Sequence, residues 1–573
     1  MNSNLVKRIR IITIFVSIVA LVIVSRLFYI QVLNGDEYTM RADRQYVRPL
    51  SSNFDRGSIF FSSKDNVKIA AATIKEGYTL SLNPRLIRDP EQVYNVVSQY
   101  IELDKEKFLE KAVKPDTAYQ EIQKKLDAAT GLSIRALRIP GVELHRETWR
   151  IYPGNSLAAN TIGIIGLDKQ NKLEGRYGLE SYYEKTLSRV VSGSNVNFFA
   201  ELFSGIKKTV FKDDVVEGDI VTTIEPTVQN FLEQTIVSTS NKWKSDSIGG
   251  IIMDPKTGEI FAMAELPTFN PNDLSDLKDA SVLSNSLVEG SFEMGSIMKP
   301  LTIAAGIDSG AISKNSTYDD AGFLLLSGRK ISNFDGKARG VIPMQEILSQ
   351  SLNVGAAHVA LKMGLQEFSK YFLSFGIGQL SGIDQPNEQK GIIKNLITGR
   401  DVEVATISYG QGIAMTPIQT IRSLAVLAND GKLVTPHLVK NIEHQDGTNE
   451  EIKIPEPVSV LKKETTDDVT AMLINVVDKS LKKGQIKMEH YSIAAKTGTA
   501  QIADPTNGGY YSDRYLHSFF GYFPAYDPKF IVFLYHVHPK GAQYASETLT
   551  DPFIELTKLL INYYNIPPDR QTI

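Results

Sequence analysis

Residues 250–264 read Gly250-Ile251-Ile252-Met253-Asp254-Pro255-Lys256-Thr257-Gly258-Glu259-Ile260-Phe261-Ala262-Met263-Ala264. Two apolar runs flank a polar Asp-Pro-Lys-Thr-Gly segment, and this pattern is typical of two strands joined by a turn. The sequence therefore predicts a β-hairpin at this point.

The segments on either side extend this hairpin into a larger fold. Residues 227–242 have the apolar spacing of a helix, and residues 491–502, 518–522 and 530–537 read as three further strands. A helix is expected over residues 551–564, and the region between the two strand groups is mainly helical. We therefore predict an α+β fold in which strands from both ends form one antiparallel sheet flanked by helices.

The sequence before residue 220 has a different character. Short apolar runs alternate there with charged stretches, of which residues 104–113 and 119–128 are predicted to be helical. No catalytic constellation is visible in it. We predict an elongated α/β pedestal (dimerisation-like) domain over residues 34–219 and a catalytic domain over residues 220–573.

The amino terminus carries Lys7, Arg8 and Arg10 ahead of a hydrophobic segment, residues 11–33. Arg26 interrupts this segment, but a long cationic side chain reaches the interface while its neighbours stay in lipid. A cleaved signal peptide and a buried core helix are the alternatives, and no small-residue cleavage site follows the segment. We predict a single transmembrane anchor in the bacterial cell membrane, with residues 1–10 in the cytoplasm and the chain after residue 33 on the extracytoplasmic side.

Composition excludes several kinds of chemistry. The chain of 573 residues has no cysteine, eight histidines and a net charge of -3. There is no thiol nucleophile, no zinc-protease motif and no basic excess that would favour a nucleic-acid partner. Acyl-transfer or hydrolytic chemistry would have to use Ser, Thr, Lys or carboxylates.

One serine stands out among six copies of the pattern S-x-x-K. Ser296-Ile297-Met298-Lys299 opens an apolar run that predicts a buried helix, and residues three apart on a helix share a face. The Lys299 amine is therefore expected within hydrogen-bond reach of Ser296 Oγ. The other copies, at Ser204, Ser275, Ser327, Ser459 and Ser480, lack this setting.

Two further motifs follow in order. Ser351-Leu352-Asn353 lies between two helical stretches, and Lys496-Thr497-Gly498-Thr499 lies within a predicted strand, where Gly498 would let an extended substrate approach. Each motif has an ordinary structural interpretation: Ser296 and Asn353 as helix caps, Lys496 as a solvated cation. Their order and settings favour one shared cleft.

This ordered trio resembles the signature of the penicillin-binding proteins and serine β-lactamases. Tyr409-Gly410-Gln411-Gly412 is also similar to that family, while Arg56-Gly57, Arg150-Ile151-Tyr152-Pro153 and Gly178-Leu179-Glu180 resemble pedestal motifs of the class B members. The resemblance covers nearly the whole chain. It implies a monofunctional peptidoglycan D,D-transpeptidase that is acylated by β-lactams.

The resemblance also implies a role for each matching residue. Ser296 would attack the penultimate D-Ala carbonyl of a stem peptide, with neutral Lys299 as base and Ser351 as proton relay. Asn353 would hold the substrate amide, and Lys496 and Thr497 would bind the terminal carboxylate. Gly498 and Thr499 complete the predicted substrate-binding residues. The amides of Ser296 and Thr499 would form the oxyanion hole. No metal or organic cofactor is expected.

The resemblance implies partners too: stem peptides ending in D-Ala-D-Ala, β-lactams as inhibitors, a polytopic membrane glycan polymerase and other division proteins. Alternatives are a non-catalytic scaffold, a β-lactam sensor and a D,D-carboxypeptidase. The run Ser351-Leu352-Asn353-Val354-Gly355 resembles division-type members more than elongation-type ones. A septal role is therefore predicted.

Overall fold

The computed structural model describes residues 14, 17–26, 29, 54–114, 116–170, 172–189 and 217–570. These residues form two compact units. The smaller holds residues 54 and 76–149, and the larger holds 55–75, 150–189 and 217–570. Among the described residues no helix combines the length and the apolar character needed to cross a bilayer. The anchor predicted over residues 11–33 lies in part outside them, and residues 1–10 lie wholly outside.

The smaller unit packs helices against a sheet. The strands are Gln120–Asp127, Val142–Ile151 and the second half of Lys68–Leu82, and the helices are Pro90–Val97, Lys105–Ala112 and Ala128–Ala136. Their core includes Tyr78, Leu80 and Phe108.

The helix predicted over residues 119–128 is wrong, because residues 120–127 form a strand that pairs antiparallel with Lys68–Leu82. The charged side chains of this segment favour a helix by propensity. The sheet pairing overrides that preference, because it buries Leu126 and satisfies the backbone hydrogen bonds.

The larger unit is built around a five-stranded antiparallel sheet. Its order is Ala494–Ala503, Tyr510–Phe523, Phe530–Val537, Ser247–Met253 and Ile260–Leu266. Strands from both ends of the domain thus form one sheet, and the 250–264 hairpin is part of it, so both predictions are confirmed. Ala494–Ala503, which carries Lys496, lies at the edge of this sheet.

Helices cover both faces of this sheet. Pro226–Trp243 and Thr550–Tyr563 contribute Leu232 and Phe553 to the core on one face, as the sequence predicted. The other face packs against a helical layer that contains Lys299–Asp308 and Asn353–Met363. The remaining α-helices of this unit are Ala159–Ile162, Gly178–Tyr182, Glu184–Leu187, Ser286–Glu289, Gln345–Ser349, Leu365–Ser374, Lys394–Thr398, Asp401–Ile407, Pro417–Ala425, Lys463–Asn475 and Ala545–Thr548.

Short strands complete the larger unit. They are Ile59–Ser62, the first half of Lys68–Leu82, Ile165–Leu167, Leu173–Gly175, Gly218–Thr222, Thr317–Asp320, Phe323–Leu326, Arg329–Ser332, Gly340–Pro343, Lys432–Leu433, Val439–His444, Asn449–Glu451 and Val458–Ser459.

Three motifs that are distant in sequence meet in a cluster of charges, the arginine cluster, formed by Arg56, Arg150, Glu180 and Glu184, of which only Glu184 is partly exposed. Arg56 Nε lies 2.6 Å from Glu180 Oε2, and Arg150 Nε lies 2.7 Å from Glu180 Oε1. A second nitrogen of Arg56 lies 2.8 Å from Glu184. Two guanidinium groups are thus matched by two carboxylates, as buried charges require.

Candidate active site

Two glycines shape the backbone around Ser296. Gly295 has a φ of 65° and Gly410 a φ of 81°, and the Gly295 amide donates to the Gly410 carbonyl. A Cβ on Gly410 would lie 2.2 Å from Gly295 O. Because no side chain fits there, the two loops approach closely and fix the turn that precedes Ser296.

Ser296 lies in a 3₁₀ turn, Gly295–Met298, that continues into the helix Lys299–Asp308. In a 3₁₀ turn residues i and i+3 eclipse one another. Lys299 Nζ accordingly lies 3.0 Å from Ser296 Oγ. The predicted contact is present, with a tighter first turn than an α-helix would give.

Lys299 is fully buried and contacts Ser351 and Asn353 of the second motif. Its amine lies 2.6 Å from the Ser351 carbonyl, 3.2 Å from Ser351 Oγ and 2.9 Å from Asn353 Oδ1. No carboxylate among the described residues pairs with it. Burial, with a smaller contribution from the charge of Lys496, holds the pKa of Lys299 well below its usual value.

The loop between the helices Gln345–Ser349 and Asn353–Met363 directs the side chains of Ser351 and Asn353 toward Lys299. Ser351 has a left-handed φ of 56°, which few residues other than glycine adopt. Asn353 begins the helix Asn353–Met363 without capping it, and its Nδ2 donates to Ser332 O at 3.1 Å. The ordinary role of a helix cap is therefore wrong for Asn353.

Lys496 is a buried cation, since only 2 % of it is exposed. Its amine lies 3.2 Å from Ser351 Oγ and 3.0 Å from the Thr497 carbonyl. Desolvation by burial lowers the pKa of Lys496 to about 7. The ordinary role of a solvated strand cation is wrong here, and Ser351 Oγ lies between two lysine amines.

Gly498 has a structural role that the sequence did not indicate. A Cβ at this position would lie 2.3 Å from Ser518 Oγ and 2.7 Å from Met294 O. The missing side chain therefore makes room for the turn that leads to Ser296. Binding of a substrate backbone at Gly498 stays a prediction.

An open cleft of about 700 Å³ collects most of the predicted residues. Ser296, Ser351, Asn353, Lys496, Thr497 and Thr499 line this cleft. Lys299 and Gly498 lie beneath its surface. The three motifs therefore converge on one site.

Sequence reasoning missed other residues of the cleft wall, among them Lys330, Phe334, Tyr409, Gln411, Lys482, Tyr515, Gln543, Tyr544 and Ala545. Tyr409 and Gln411 belong to a motif noted only for its family resemblance, so a signal for them existed. Phe334 and Tyr544 meet edge to face with ring centroids 6.1 Å apart. No local pattern marks these two, because they come together only in the folded chain.

The chain is similar to known proteins over most of its length. It matches the family models "Penicillin binding protein transpeptidase domain" over residues 248–555 and "Penicillin-binding Protein dimerisation domain" over residues 53–221. Stage V sporulation protein D of Bacillus subtilis is 29 % identical over 566 residues, which cover 96 % of this chain and 85 % of that protein. The peptidoglycan D,D-transpeptidase FtsI of Buchnera aphidicola is 26 % identical over 564 residues, covering 96 % of this chain and 93 % of the relative.

A solved structure shares the fold. Penicillin-binding protein 3 of Mycobacterium tuberculosis, solved with aztreonam, superposes with a TM-score of 0.68 at 23 % identity, covering 91 % of this chain and 98 % of that one. The family match spans more than half of the chain, and the dimerisation match precedes it as in class B members. The chain therefore belongs to the penicillin-binding protein transpeptidase family, as a class B member and a serine-type peptidoglycan D,D-transpeptidase.

Proposed function

We propose that Ser296 is the nucleophile of this transpeptidase and that Lys299 is its general base. The observation that carries the proposal is the position of the Lys299 amine, 3.0 Å from Ser296 Oγ and fully buried. A base must accept a proton, and the lowered pKa of Lys299 favours the neutral amine that does so.

Acylation then proceeds with each proton accounted for. Lys299 Nζ takes the Ser296 proton while Oγ attacks the carbonyl of the penultimate D-Ala, and the amides of Ser296 and Thr499 stabilise the oxyanion. The bond to the terminal D-Ala breaks, and its amine takes a proton relayed from Lys299 through Ser351 Oγ, 3.2 Å away. An amine of a second stem peptide attacks the acyl-enzyme by the reverse path.

Substrate recognition falls to the remaining motif residues. Lys496, Thr497 and Thr499 would bind the terminal carboxylate, and Asn353 would hold the substrate amide. The cleft wall carries Lys330, Lys482 and Lys496 and no carboxylate of a described residue. Lys482 pairs with Asp551 outside the cleft lining, so Lys330 and Lys496 carry the argument. This charge distribution supports an anionic peptide ligand.

We assign the cellular setting from the sequence and the family. Residues 11–33 would anchor the chain as a single span, residues 34–219 would form a pedestal domain and residues 220–573 would catalyse outside the cytoplasm. The proposed partners are a polytopic membrane glycan polymerase and other division proteins, and the proposed site of action is the septum. The Bacillus subtilis relative is named for sporulation and the Buchnera aphidicola relative for peptidoglycan D,D-transpeptidase activity, and both names support a role in cell-wall synthesis.

The nucleophile is tested by Ser296→Ala. We expect the variant to fold and to lose all covalent labelling by a fluorescent penicillin, because a single hydroxyl at this turn contributes little to stability. Ser480→Ala is the matched control, since Ser480 begins another S-x-x-K copy and lines the same cleft. Mass spectrometry should find the adduct on Ser296; an adduct on another residue would overturn the assignment.

Acyl acceptor and cellular role need separate tests. Product analysis with a stem peptide and an amine acceptor distinguishes cross-linking from the hydrolysis of a D,D-carboxypeptidase. Depletion of the protein should produce filamentous cells, as expected when septal synthesis stops. Rounded cells would instead assign the enzyme to elongation.

A further inference from the structure

A buried chain of polar side chains, the histidine relay, lies behind one wall of the cleft. It is formed by Ser245, His536, Thr548 and His517. His536 and His517 are fully buried and Thr548 nearly so. None of these residues belongs to the three motifs that carry the proposed chemistry.

The distances define an unbroken series of hydrogen bonds. Ser245 Oγ lies 2.8 Å from His536 Nδ1, and His536 Nε2 lies 2.9 Å from Thr548 Oγ1. Thr548 Oγ1 lies 2.9 Å from His517 Nδ1, and His517 Nε2 lies 3.1 Å from the Gln543 carbonyl.

Only one arrangement of protons satisfies this series when both rings are neutral. The Gln543 carbonyl only accepts, so His517 Nε2 carries a proton and its Nδ1 accepts from the Thr548 hydroxyl. The Ala545 carbonyl also lies 3.4 Å from Thr548 Oγ1, but His517 Nδ1 is nearer at 2.9 Å and takes the single hydroxyl proton. His536 Nε2 must then donate to Thr548, and its Nδ1 must accept from Ser245. Each group in the series therefore donates a hydrogen bond to the next one, from Ser245 to the Gln543 carbonyl in the cleft wall.

Burial supports the neutral state of both rings. Desolvation lowers the pKa of His517 to about 4 and that of His536 to about 3. Two imidazolium groups with rings 5.2 Å apart would also repel each other.

The end of the relay reaches the site through the backbone. Gln543 and Ala545 line the cleft, and the Ala545 amide donates to Thr499 Oγ1 at 3.1 Å. This contact occupies a lone pair of Thr499. Within the described part of the chain its hydroxyl proton has no acceptor, so it is free to point at a ligand in the cleft.

We propose that His517 is a positioning residue for carboxylate recognition: it holds the Gln543–Ala545 wall so that the Ala545 amide orients the Thr499 hydroxyl toward the substrate carboxylate. His517 pairs with Thr499 across the two strands, which puts both side chains on one face of the sheet. The inference rests on the proposed function, because it takes Thr499 as part of the carboxylate site.

The test compares two probes on the full-length protein: a fluorescent penicillin and its carboxylate methyl ester. The ratio of their acylation rates measures carboxylate recognition separately from general reactivity. We expect His517→Leu to lower this ratio about tenfold, the effect of losing one charge-assisted hydrogen bond. His517→Gln, which retains an N–H donor for the Gln543 carbonyl, should stay within about threefold of the wild-type ratio.

A double-mutant cycle assigns the effect to Thr499. In a Thr499→Val background, His517→Leu should cause no further change in the ratio, because the hydroxyl that it orients is gone. Ser245→Ala removes the far end of the relay and should leave the ratio unchanged. Thr548→Val and Thr548→Ser provide a second pair if His517→Leu does not fold, with only the valine variant expected to lose carboxylate preference.

Three outcomes would overturn the inference: equal losses for both probes, an additive loss in the Thr499→Val background, or a loss for Ser245→Ala as large as that for His517→Leu. Failure of the proposed function looks different. If Ser296 is not the nucleophile, Ser296→Ala still labels, whatever the His517 variants do.

Discussion

Arg56 and Arg150 are buried against two carboxylates, whereas Lys299 and Lys496 are buried with none among the described residues. The arginine cluster is thus neutral overall, and its charges satisfy one another. The two lysines contact hydroxyls, carbonyls and an amide oxygen, and burial lowers both of their pKa values. The comparison separates a charge cluster that holds the fold together from one that leaves its amines reactive.

The comparison requires that Lys299 act as a neutral general base. Lys299→Arg tests this requirement, because arginine cannot take that role. A guanidinium keeps its proton at any pH below about 12, so it retains the charge but cannot act as a base. We expect the second-order rate of acylation by a fluorescent penicillin to fall by about 10² to 10⁴.

Lys390→Arg is the control, because Lys390 is exposed and far from the motifs in sequence. Circular dichroism should show that both variants fold. A Lys299→Arg rate within about tenfold of wild type would mean that residue 299 serves as a fixed cation.

The other half of the comparison is tested by Glu180→Gln. This variant leaves two buried guanidinium groups with one carboxylate fewer, and breaking a buried pair lowers the free energy of unfolding by about 3 to 5 kcal/mol. Glu367→Gln is the matched control, because Glu367 forms an exposed pair with Lys370 at 3.2 Å, worth about 0 to 1 kcal/mol. Equal losses in urea unfolding would show that burial of the cluster contributes nothing.

Lys496→Met sharpens the contrast, because stability and recognition should change in opposite directions. A lysine whose pKa falls from 10.5 to about 7 on folding destabilises the folded state at neutral pH. Methionine removes that penalty, so the melting temperature should rise while acylation by the penicillin falls relative to its methyl ester.

The lowered pKa of Lys496 also predicts how the stability difference between wild type and Lys496→Met changes with pH. The folded protein binds fewer protons at residue 496 than the unfolded chain between about pH 7 and 10.5, so wild type gains stability as pH rises through this window. The advantage of Lys496→Met should therefore shrink from pH 7 toward pH 10. A variant that melts lower than wild type at pH 7 would contradict this account.

The sequence predicted the elements that depend on local pattern. Turn residues between apolar runs predict the 250–264 hairpin, and an apolar run predicts the strand that carries Lys496. Helical spacing predicts the contact between Ser296 and Lys299. Residues 120–127 were predicted wrongly because their charged side chains favour a helix, while pairing with Lys68–Leu82 makes them a strand.

Contacts between distant segments were not predictable in this way. Gly410 packs on Gly295, and the Ala545 amide binds Thr499, across gaps of many residues. The burial of Lys496 also arises only when the strand, the loop at Ser351 and the turn at Ser296 meet. Local pattern therefore identified the reacting groups, while their pKa values and orientation depend on the assembled fold.

The smallest effect concerns backbone strain, which is present in the active site and absent from the arginine cluster. Ser351 has a left-handed φ of 56°, whereas Arg56, Arg150 and Glu180 do not have a left-handed φ. Ser351→Ala and Ser351→Gly both remove the hydroxyl that lies 3.2 Å from Lys299 Nζ and from Lys496 Nζ. Alanine keeps the left-handed strain of about 1 to 2 kcal/mol, whereas glycine relieves it at an entropic penalty of about 0.5 to 1 kcal/mol. We expect Ser351→Gly to be more stable than Ser351→Ala by roughly 1 kcal/mol, measured by urea unfolding, with the two variants slowed equally in acylation.

Equal stabilities would mean that the loop holds Ser351 without strain. Slower acylation by the glycine variant would show that rigidity at residue 351, and not only its hydroxyl, positions Lys299.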